Sequence, residues 1–510
     1  MQLNPVSLRE RIPLDHSSSV PLHRQIYQWV RRAILDGQLQ PSQKLPSTRT
    51  LASELGVSRN TASTAYEQLQ AEGYVERTIG SGTTVAHFIP KRDPSAPVAS
   101  RVPSNVSHPD PSPFGIATQS RSVPAFLMRP PFSEPPAFRL GTPALDLFPY
   151  RLWAQLLTRH ARQSLRHQSD YQQSAGYPPL REAIAAHIAV TRGVRCQADH
   201  ILITSGAQAA LDLTARLLVD REDVVWMEDP GYPGAWAALE GTGAYLTPVP
   251  VNADGMEVAQ GRALSPRARL AFVTPSHQFP LGVTMKLEQR LALLHWANEA
   301  NAWIVEDDYD SEYRFGARPV EALQGLDRAD RVIYIGTFSK VLFPSVRLGY
   351  VVVPAALMEL FTMAQRFQSI HPPILEQMAL ADFLAGGHFA RHLRGMRGLY
   401  AARLEALLTA IRSECGHLLE AHAPQAGMHL VGWLPPEIAD MEVEQRAARQ
   451  GIEVVALSVM SRQPLPRGGL VLGFAGCSEA NIQAGVRILA RILLSLEKHC
   501  PAVSPAPKAR

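Results

Sequence analysis

Lys340 lies just past the apolar run RVIYI, in the stretch GTFSKVLFPSVRLGY. A lysine amine can condense with an aldehyde to form a Schiff base. Four other apolar runs end on groups that suit the same chemistry. The run AWIV ends at Glu306-Asp307-Asp308-Tyr309, and DVVWM leads into EDPGYPG, which presents Tyr232. The run HILIT ends at Ser205-Gly206-Ala207-Gln208 and opens a helical pattern, AALDLTARLL, while RLAFV ends at TPSHQFPLG. A carboxylate from the aspartate pair can hold a pyridinium nitrogen protonated, and a phenol can hydrogen-bond a ring hydroxyl. An aromatic ring can stack on a pyridine, and an arginine beside helix N-terminal amides can neutralise a phosphate. Singly, each residue has a plainer explanation: a lone lysine after serine is usually solvated, and an Asp-Asp pair at a strand end is usually a turn or a metal site. The ordered set is far more specific.

These groups need a scaffold that brings strand ends together. Residues 137–497 alternate apolar runs with helical patterns, the signature of an α/β fold. In doubly wound sheets ligands bind outside the carboxyl ends of the strands, so five strand ends are expected to converge on one pocket. The bulk numbers agree with a large packed chain: 510 residues, 46% apolar and 19% charged. Such length implies at least two units. Residues 90–136 hold 12 prolines, a density that opposes both helix and central strand and marks a semi-extended linker. The tail 498–510 is expected to be disordered. Neither a signal-peptide core nor an apolar run long enough to span a membrane is visible, so the chain reads as cytoplasmic. Cys196, Cys415, Cys477 and Cys500 lie far apart, which argues against disulfides and against a zinc site.

The net charge of +4 does not itself indicate nucleic-acid binding, and residues 1–89 hold nine Lys/Arg against seven Asp/Glu. Pattern decides instead. In PLHRQIYQWVRRAILD, Leu22, Ile26, Val30 and Ala33 share one helical stripe, closed by Gly37. Ser47 is a good N-cap for a second helix, and Gly56 turns the chain to Ser58, which caps a third. Two short helices joined across LGVS make a helix-turn-helix. The run YVERTIGSGTTVAHF then alternates around a Gly-Ser-Gly turn, as a β-hairpin wing does. Arg59, Asn60 and Thr61, with Ser58, occupy the first turn of the expected recognition helix, where base edges are met. Arg49, and Thr78 with the wing glycines Gly80 and Gly82, suit phosphate contacts. The plainer alternative is a three-helix protein-interaction module.

The stretch LPSTRTLASELGVSRNTASTAYEQLQAEGYV with its wing closely resembles the GntR family of winged-helix regulators, over roughly residues 19–87. Residues 137–497 resemble fold-type I pyridoxal-phosphate enzymes of the aminotransferase class. Joined, and with TPSHQFPLGVTM and EDDYDSEYRF, the chain is similar to the MocR subfamily of GntR regulators. The resemblance implies that Lys340 forms the internal aldimine with pyridoxal 5'-phosphate and that Arg347 contacts its phosphate. It implies that Asp307, in competition with Asp308, pairs with the pyridine nitrogen, that Tyr309 contacts the ring hydroxyl, and that Tyr232 flanks the ring. Ser205, Ala207 and Gln208 would surround the phosphate, with Gly206 and Ser339 also in the cofactor site. A homodimer, with each head packed on its partner's large domain, is the implied assembly.

Two positions depart from the enzymes. Phe279 takes the slot where the enzymes carry an asparagine that contacts the cofactor ring, so a neighbour must supply that contact or it is missing. Val471, in GLVLGFAG, takes the place of the arginine that grips a substrate carboxylate, and valine cannot replace a bidentate contact. Arg467 and Arg314 are candidates to compensate. His277 and His371 invite a catalytic role, but a satisfied structural histidine is the commoner outcome and neither is assigned. The arginine-rich stretch FARHLRGMRGLYAARLEALLTAI reads as an amphipathic helix with a solvated basic face. The expected function is a DNA-binding regulator that senses a small amine, an amino acid or the cofactor itself. The alternatives are a working aminotransferase with an accessory DNA-binding domain, and a regulator whose large domain has lost the cofactor and serves only for dimerisation.

Overall fold

The computed structural model describes residues 12–78, 82–87, 136–163, 170–315 and 320–497. Contacts divide the chain into two units, Met1–Pro113 and Phe114–Arg510. That division falls within the proline-rich stretch, which apart from Pro136 lies outside the described residues, as does the tail 498–510.

The first unit contains three helices, α1 (Leu22–Leu35), α2 (Thr48–Leu55) and α3 (Arg59–Ala71), followed by a hairpin of β1 (Val75–Thr78) and β2 (Gly82–Val85). α1 buries Ile26, Val30, Ala33 and Ile34, the spacing of a core-facing stripe. Both later helices begin at a serine. The Ser47 hydroxyl accepts the Thr50 N–H and the Ser58 hydroxyl accepts the Thr61 N–H, each at 3.1 Å, satisfying donors that a helix start leaves orphaned. Gly56 ends α2 at φ +66°, a left-handed conformation that lets the chain enter α3 within two residues. In the hairpin Val75 faces Val85 and Thr78 faces Gly82, with both valines buried.

The second unit is built on an eight-stranded sheet in the order β3-β10-β9-β8-β7-β4-β5-β6. Its strands are β3 (Ile201–Thr204), β4 (Val224–Asp229), β5 (Tyr245–Asn252), β6 (Gly255–Met256), β7 (Leu270–Val273), β8 (Trp303–Asp308), β9 (Val332–Thr337) and β10 (Gly349–Val352). The five strands β5, β4, β7, β8 and β9 run parallel, while β10 lies antiparallel between β9 and β3. Continuous apolar runs such as Leu270–Val273, buried at every residue, suit a sheet covered on both faces. A smaller antiparallel sheet follows in the order β11-β12-β14-β13, from β11 (Glu420–Ala421), β12 (His429–Trp433), β13 (Val455–Ala456) and β14 (Gly469–Gly473). Between the sheets runs the helix His388–Cys415, which buries Phe389, Leu393, Met396, Tyr400 and Leu404 and leaves Arg391, Arg394 and Arg397 exposed. The arginine-rich stretch is thus an amphipathic helix, as its spacing suggests. Among the described residues, no helix is long and apolar enough to cross a membrane.

Candidate functional site

The carboxyl ends of the parallel strands and the segments beside them enclose a cavity of about 410 Å³. Ala207 and Gln208 follow β3, Tyr232 follows β4, Thr274 and Phe279 follow β7, Asp307 and Tyr309 close β8, and Ser339 and Lys340 follow β9; all of them line it. Arg347 joins them from the turn before β10. Ser205 and Gly206 are not among the lining residues. Gly206 caps the helix Ala207–Leu218 at φ +100°, and a Cβ there would stand 3.5 Å from the Arg347 guanidinium. The guanidinium therefore lies against the start of a helix, where backbone amides and the positive end of the dipole favour an anion.

The Lys340 amine donates to the Gly141 carbonyl at 3.0 Å. Gly141 has φ +70°, and a Cβ on it would run into that amine, so only glycine fits. Burial lowers the Lys340 pKa, against the pull of the Asp310 and Asp307 carboxylates. Asp307 is pushed up to about 7, by burial first and then by the neighbouring Asp308, with Lys340 opposing. Its Oδ1 is buried and has no partner among the described residues. Asp308 does not line the cavity. It accepts the Arg192 Nε–H at 2.7 Å and the Tyr334 hydroxyl at 2.7 Å. Burial pushes this carboxyl up, but the Arg192 charge and the donors Ser311, Tyr334 and Arg192 together hold the pKa below the ordinary value. Successive strand residues face opposite ways, so the two aspartates serve different sides of the sheet.

Phe279 lines the cavity with its ring edge-to-face against Tyr232, at 5.7 Å between centroids, and against Tyr309, at 5.9 Å. No polar group of Phe279 takes the asparagine's part. Tyr232 donates to the Gln208 side-chain oxygen at 3.1 Å, and Gln208 donates in turn to the Gly234 carbonyl at 2.8 Å. Val471 is fully buried in an apolar patch with Val431, Val455, Leu457 and Met460. Neither proposed substitute reaches the cavity. Arg314 donates to Gln425 at 3.0 Å, and Arg467 donates to Glu420 at 2.7 Å while lying over the Trp433 ring. The second guanidinium lining the cavity is Arg139, whose Nε lies 3.9 Å from Glu453, another lining residue. Arg139, Gly141, Asp310, His429 and Glu453 went unnoticed in the sequence, because they come from the segment before the first helix of this unit, from a loop after a strand, and from the small sheet. His371 does not line the cavity, whereas His277 touches it through Tyr309, its Nδ1 being 2.9 Å from that hydroxyl.

In the first unit, Arg49 is exposed in the first turn of α2, and Arg59 and Asn60 are exposed in the first turn of α3. The Ser58 hydroxyl is occupied as the α3 cap and also lies 2.8 Å from the half-buried Thr61 hydroxyl. Thr78 ends β1 opposite Gly82, and Gly80 lies outside the described residues. Gly82 has φ +97°, and a Cβ there would stand 3.3 Å from the Lys44 side chain. Lys44 and Arg77, both exposed, add basic groups around the wing that pattern reading passed over.

A winged helix-turn-helix followed by an α/β unit whose strand ends enclose a half-buried lysine and a buried aspartate defines a class: DNA-binding regulators built on an aminotransferase-like domain. Residues 22–85 match the bacterial regulatory proteins of the gntR family, and residues 140–489 match aminotransferase class I and II. The chain belongs to the MocR-type family of transcriptional regulators, which joins these two parts. It is 42% identical to the probable rhizopine catabolism regulatory protein MocR of Rhizobium meliloti, over 95% of this chain and 96% of that one. Identity to the pyridoxine biosynthesis transcriptional regulator PdxR of Corynebacterium glutamicum is 30%, over 94% and 96% of the two chains. Among solved structures, the α-aminoadipate aminotransferase LysN of Thermus thermophilus, complexed with N-(5'-phosphopyridoxyl)-L-leucine, matches with a TM-score of 0.70 and 28% identity. That match covers 76% of this chain and 98% of LysN.

The two aspartates should separate experimentally. Asp308→Asn strips the partner from the buried Arg192 and should cost about 3–5 kcal/mol in urea unfolding, the usual penalty for breaking a buried pair. Asp307→Asn should leave the fold at least as stable. Equal losses in both variants would contradict the assignment of Asp308 to the scaffold. A second expectation concerns pH. Asp307, Glu228 and Glu312 are each raised to about 7, chiefly by burial, so the folded chain holds protons that the unfolded chain releases. Stability of the ligand-free protein should therefore fall as pH rises from roughly 4 to 7. Paired thermal melts should show a shallower fall in Asp307→Asn than in the wild type, and parallel curves would refute Asp307's share.

Proposed function

We propose that the head binds a double-stranded DNA operator and that the large unit binds pyridoxal 5'-phosphate through Lys340 to sense a small amine or amino acid, or the cofactor itself. The single observation that carries this reading is the meeting of Lys340, Asp307, Tyr309 and Arg347 in one cavity of a chain that also carries a winged helix-turn-helix. The residues fit the cofactor. The unpartnered Asp307 oxygen suits a protonated ring nitrogen, the Arg347 guanidinium at the helix start suits a phosphate, and Gly141 leaves room for the lysine amine. Bound there, pyridoxal phosphate supplies an aldehyde that condenses with primary amines and an electron-withdrawing ring.

The chain's own groups would then divide the work. Lys340, its pKa lowered by burial, would be the nucleophile and the anchor. Asp307 would hold the ring nitrogen, Tyr309 would donate to the ring oxygen, and Tyr232 would stack on or flank the ring. Gln208, Ala207 and Ser339 lie beside Arg347 as further ligands of the phosphate region, with Ser205 and Gly206 shaping the turn behind them. An amine that takes Lys340's place frees the lysine, and the difference in affinity between the two linkage states is what shifts operator affinity. We place the protein in the cytoplasm as a homodimer, since helix-turn-helix proteins read paired half-sites. The relatives' names, which refer to rhizopine catabolism and to pyridoxine biosynthesis, support small-molecule sensing of either kind.

A working aminotransferase is the second reading, supported by the same four residues and opposed by the burial of Val471 in an apolar patch. The two readings part on turnover. Purified protein is expected to show a visible band that borohydride abolishes and that Lys340→Ala lacks. Operator affinity should change when the cofactor or an exchangeable amine is titrated, without rapid multiple turnover of an amino acid and a keto acid. A colourless protein that takes up no added cofactor would reduce the large unit to a dimerisation scaffold. In the head, Arg59→Ala should weaken operator binding about tenfold at fixed salt. Unchanged affinity in that variant would remove α3 as the reading helix.

A further inference from the structure

Tyr309 is the end of a short polar chain. Its hydroxyl lies 2.9 Å from His277 Nδ1, and the same nitrogen lies 2.9 and 3.2 Å from the two Asp310 carboxylate oxygens. His277 and Asp310 are each almost fully buried, and both Tyr309 and Asp310 line the cavity. The imidazole ring is fixed in place by two glycines at positive φ. A Cβ at Gly282 would stand 3.1 Å from His277 Nε2, and one at Gly427 would collide with the ring itself. The nearest other ring, His429, lies 5.1 Å away between centroids and is kept neutral by burial.

Proton placement in this chain is constrained. A neutral imidazole has one N–H to give. On Nε2 that N–H would be a buried donor with no partner among the described residues, and the bare Nδ1 lone pair would face a carboxylate. On Nδ1 it donates to Asp310 and shares the Tyr309 oxygen as a second acceptor, so both penalties disappear. With its oxygen already accepting, Tyr309 cannot aim its own O–H at the imidazole. Burial, reinforced by the surrounding carboxylates, keeps that phenol protonated. The proton is left facing the cavity.

We infer that Asp310 and His277 are positioning residues: they fix the imidazole tautomer and thereby set the Tyr309 hydroxyl as a donor into the cavity, giving the site a preference for a ligand with a ring oxygen at that point. The inference rests on the proposed binding of pyridoxal phosphate. It also explains how the site manages with Phe279 in the asparagine slot, because the ring-oxygen contact falls to one well-held phenol. A metal site is the rival use of these residues, since ligand atoms of His277, Asp310 and His429 lie within 4.8 Å of one another. One nitrogen of each imidazole is already engaged, His277 Nδ1 by Asp310 and His429 Nε2 by the Pro280 carbonyl at 3.1 Å, and the Asp310 carboxylate is spent on His277. The hydrogen-bonded arrangement therefore accounts for the cluster without an ion.

The test compares two probes on the full-length chain freed of cofactor: pyridoxal 5'-phosphate and its 3-deoxy analogue, which lacks only the ring hydroxyl. The ratio of their dissociation constants cancels general damage to the site. Relative to wild type, Tyr309→Phe and His277→Phe should each lower the preference for the hydroxylated probe by about three- to tenfold, the scale of one hydrogen bond. His277→Asn, whose amide N–H can stand near the Nδ1 position, should keep most of the preference. Asp310→Asn is isosteric and releases the tautomer, so it should lose the preference even if His277→Phe fails to fold. Because the Asp310 charge also raises the Lys340 pKa, the readout in that variant is the ratio of the two probes and not the affinity of either alone. Equal weakening of both probes in the His277 and Asp310 variants would overturn the inference and leave these residues structural. An unchanged ratio in Tyr309→Phe would overturn it as well. Wild-type protein that binds neither probe would instead overturn the proposed cofactor site, and this inference with it.

Discussion

The burial of opposite charges in one cavity is the constraint around which the large unit is organised. Asp307 is buried and Lys340 half-buried, and an isolated buried charge of either sign costs several kcal/mol. Burial drives each toward its neutral form: the lysine pKa falls and the aspartate rises to about 7. Their mutual attraction, with Asp310 contributing, partly restores the charged pair. Such perturbed groups facing one cavity mark it as a candidate functional site, and they suit the cofactor proposed for it. No single strand can supply both groups. They stand at the ends of β8 and just past β9, which are parallel neighbours, so sheet pairing itself sets their proximity.

The other face of β8 makes that arrangement affordable. Glu306 and Asp308 point away from the cavity and find donors there, with Asp308 Oδ1 left without a partner among the described residues. Glu306 accepts the Leu323 and Gln324 backbone N–H groups, both at 2.9 Å, while Asp308 holds Arg192 and Tyr334. Three consecutive acidic residues are tolerated because strand alternation sends the middle one alone into the cavity and gives its neighbours dedicated donors. Arg192 also donates to the Val320 carbonyl, so one guanidinium ties β8 to the loop beyond it. The position of Asp307 is thus fixed by groups that never touch the cavity.

Much of this could be read from residue order, and the boundary between the readable and the unreadable is physical. Ser47, Gly56 and Ser58 announce the helix-turn-helix because capping and left-handed turns are local events recorded in a few residues. The strand ends that deliver Tyr232, Asp307, Tyr309 and Lys340 were legible because parallel strands read as uninterrupted apolar runs that stop at a polar cluster. The choice between Asp307 and Asp308 was not legible, since it turns on strand register, and Arg192 lies more than a hundred residues away. The opposite wall was also hidden. Arg139 and Gly141 sit in an irregular segment, and Glu453 and Val455 beside a two-residue strand, where no periodicity marks them. His277 looked structural and is packed as such between two glycines, yet its one N–H reaches a cavity residue.

The contrast between the two walls bears on what the domain does. On the sheet side Lys340, Asp307, Tyr309 and Arg347 line one cavity, the set on which the proposed cofactor reading rests. On the small-sheet side Val471 is buried in an apolar patch with Val455 and Met460, in the place of a clamping guanidinium. Arg139 is the remaining cation of the lining, and it faces Glu453, so an incoming carboxylate would have to compete with one already in place. Catalytic turnover of amino acids needs the substrate carboxylate locked to set the bond that breaks, whereas sensing needs only that a bound amine change the occupancy of Lys340. A domain that keeps the anchor and loses the clamp is suited to the second task, and its fusion to a DNA-binding head gives that change of occupancy somewhere to be read.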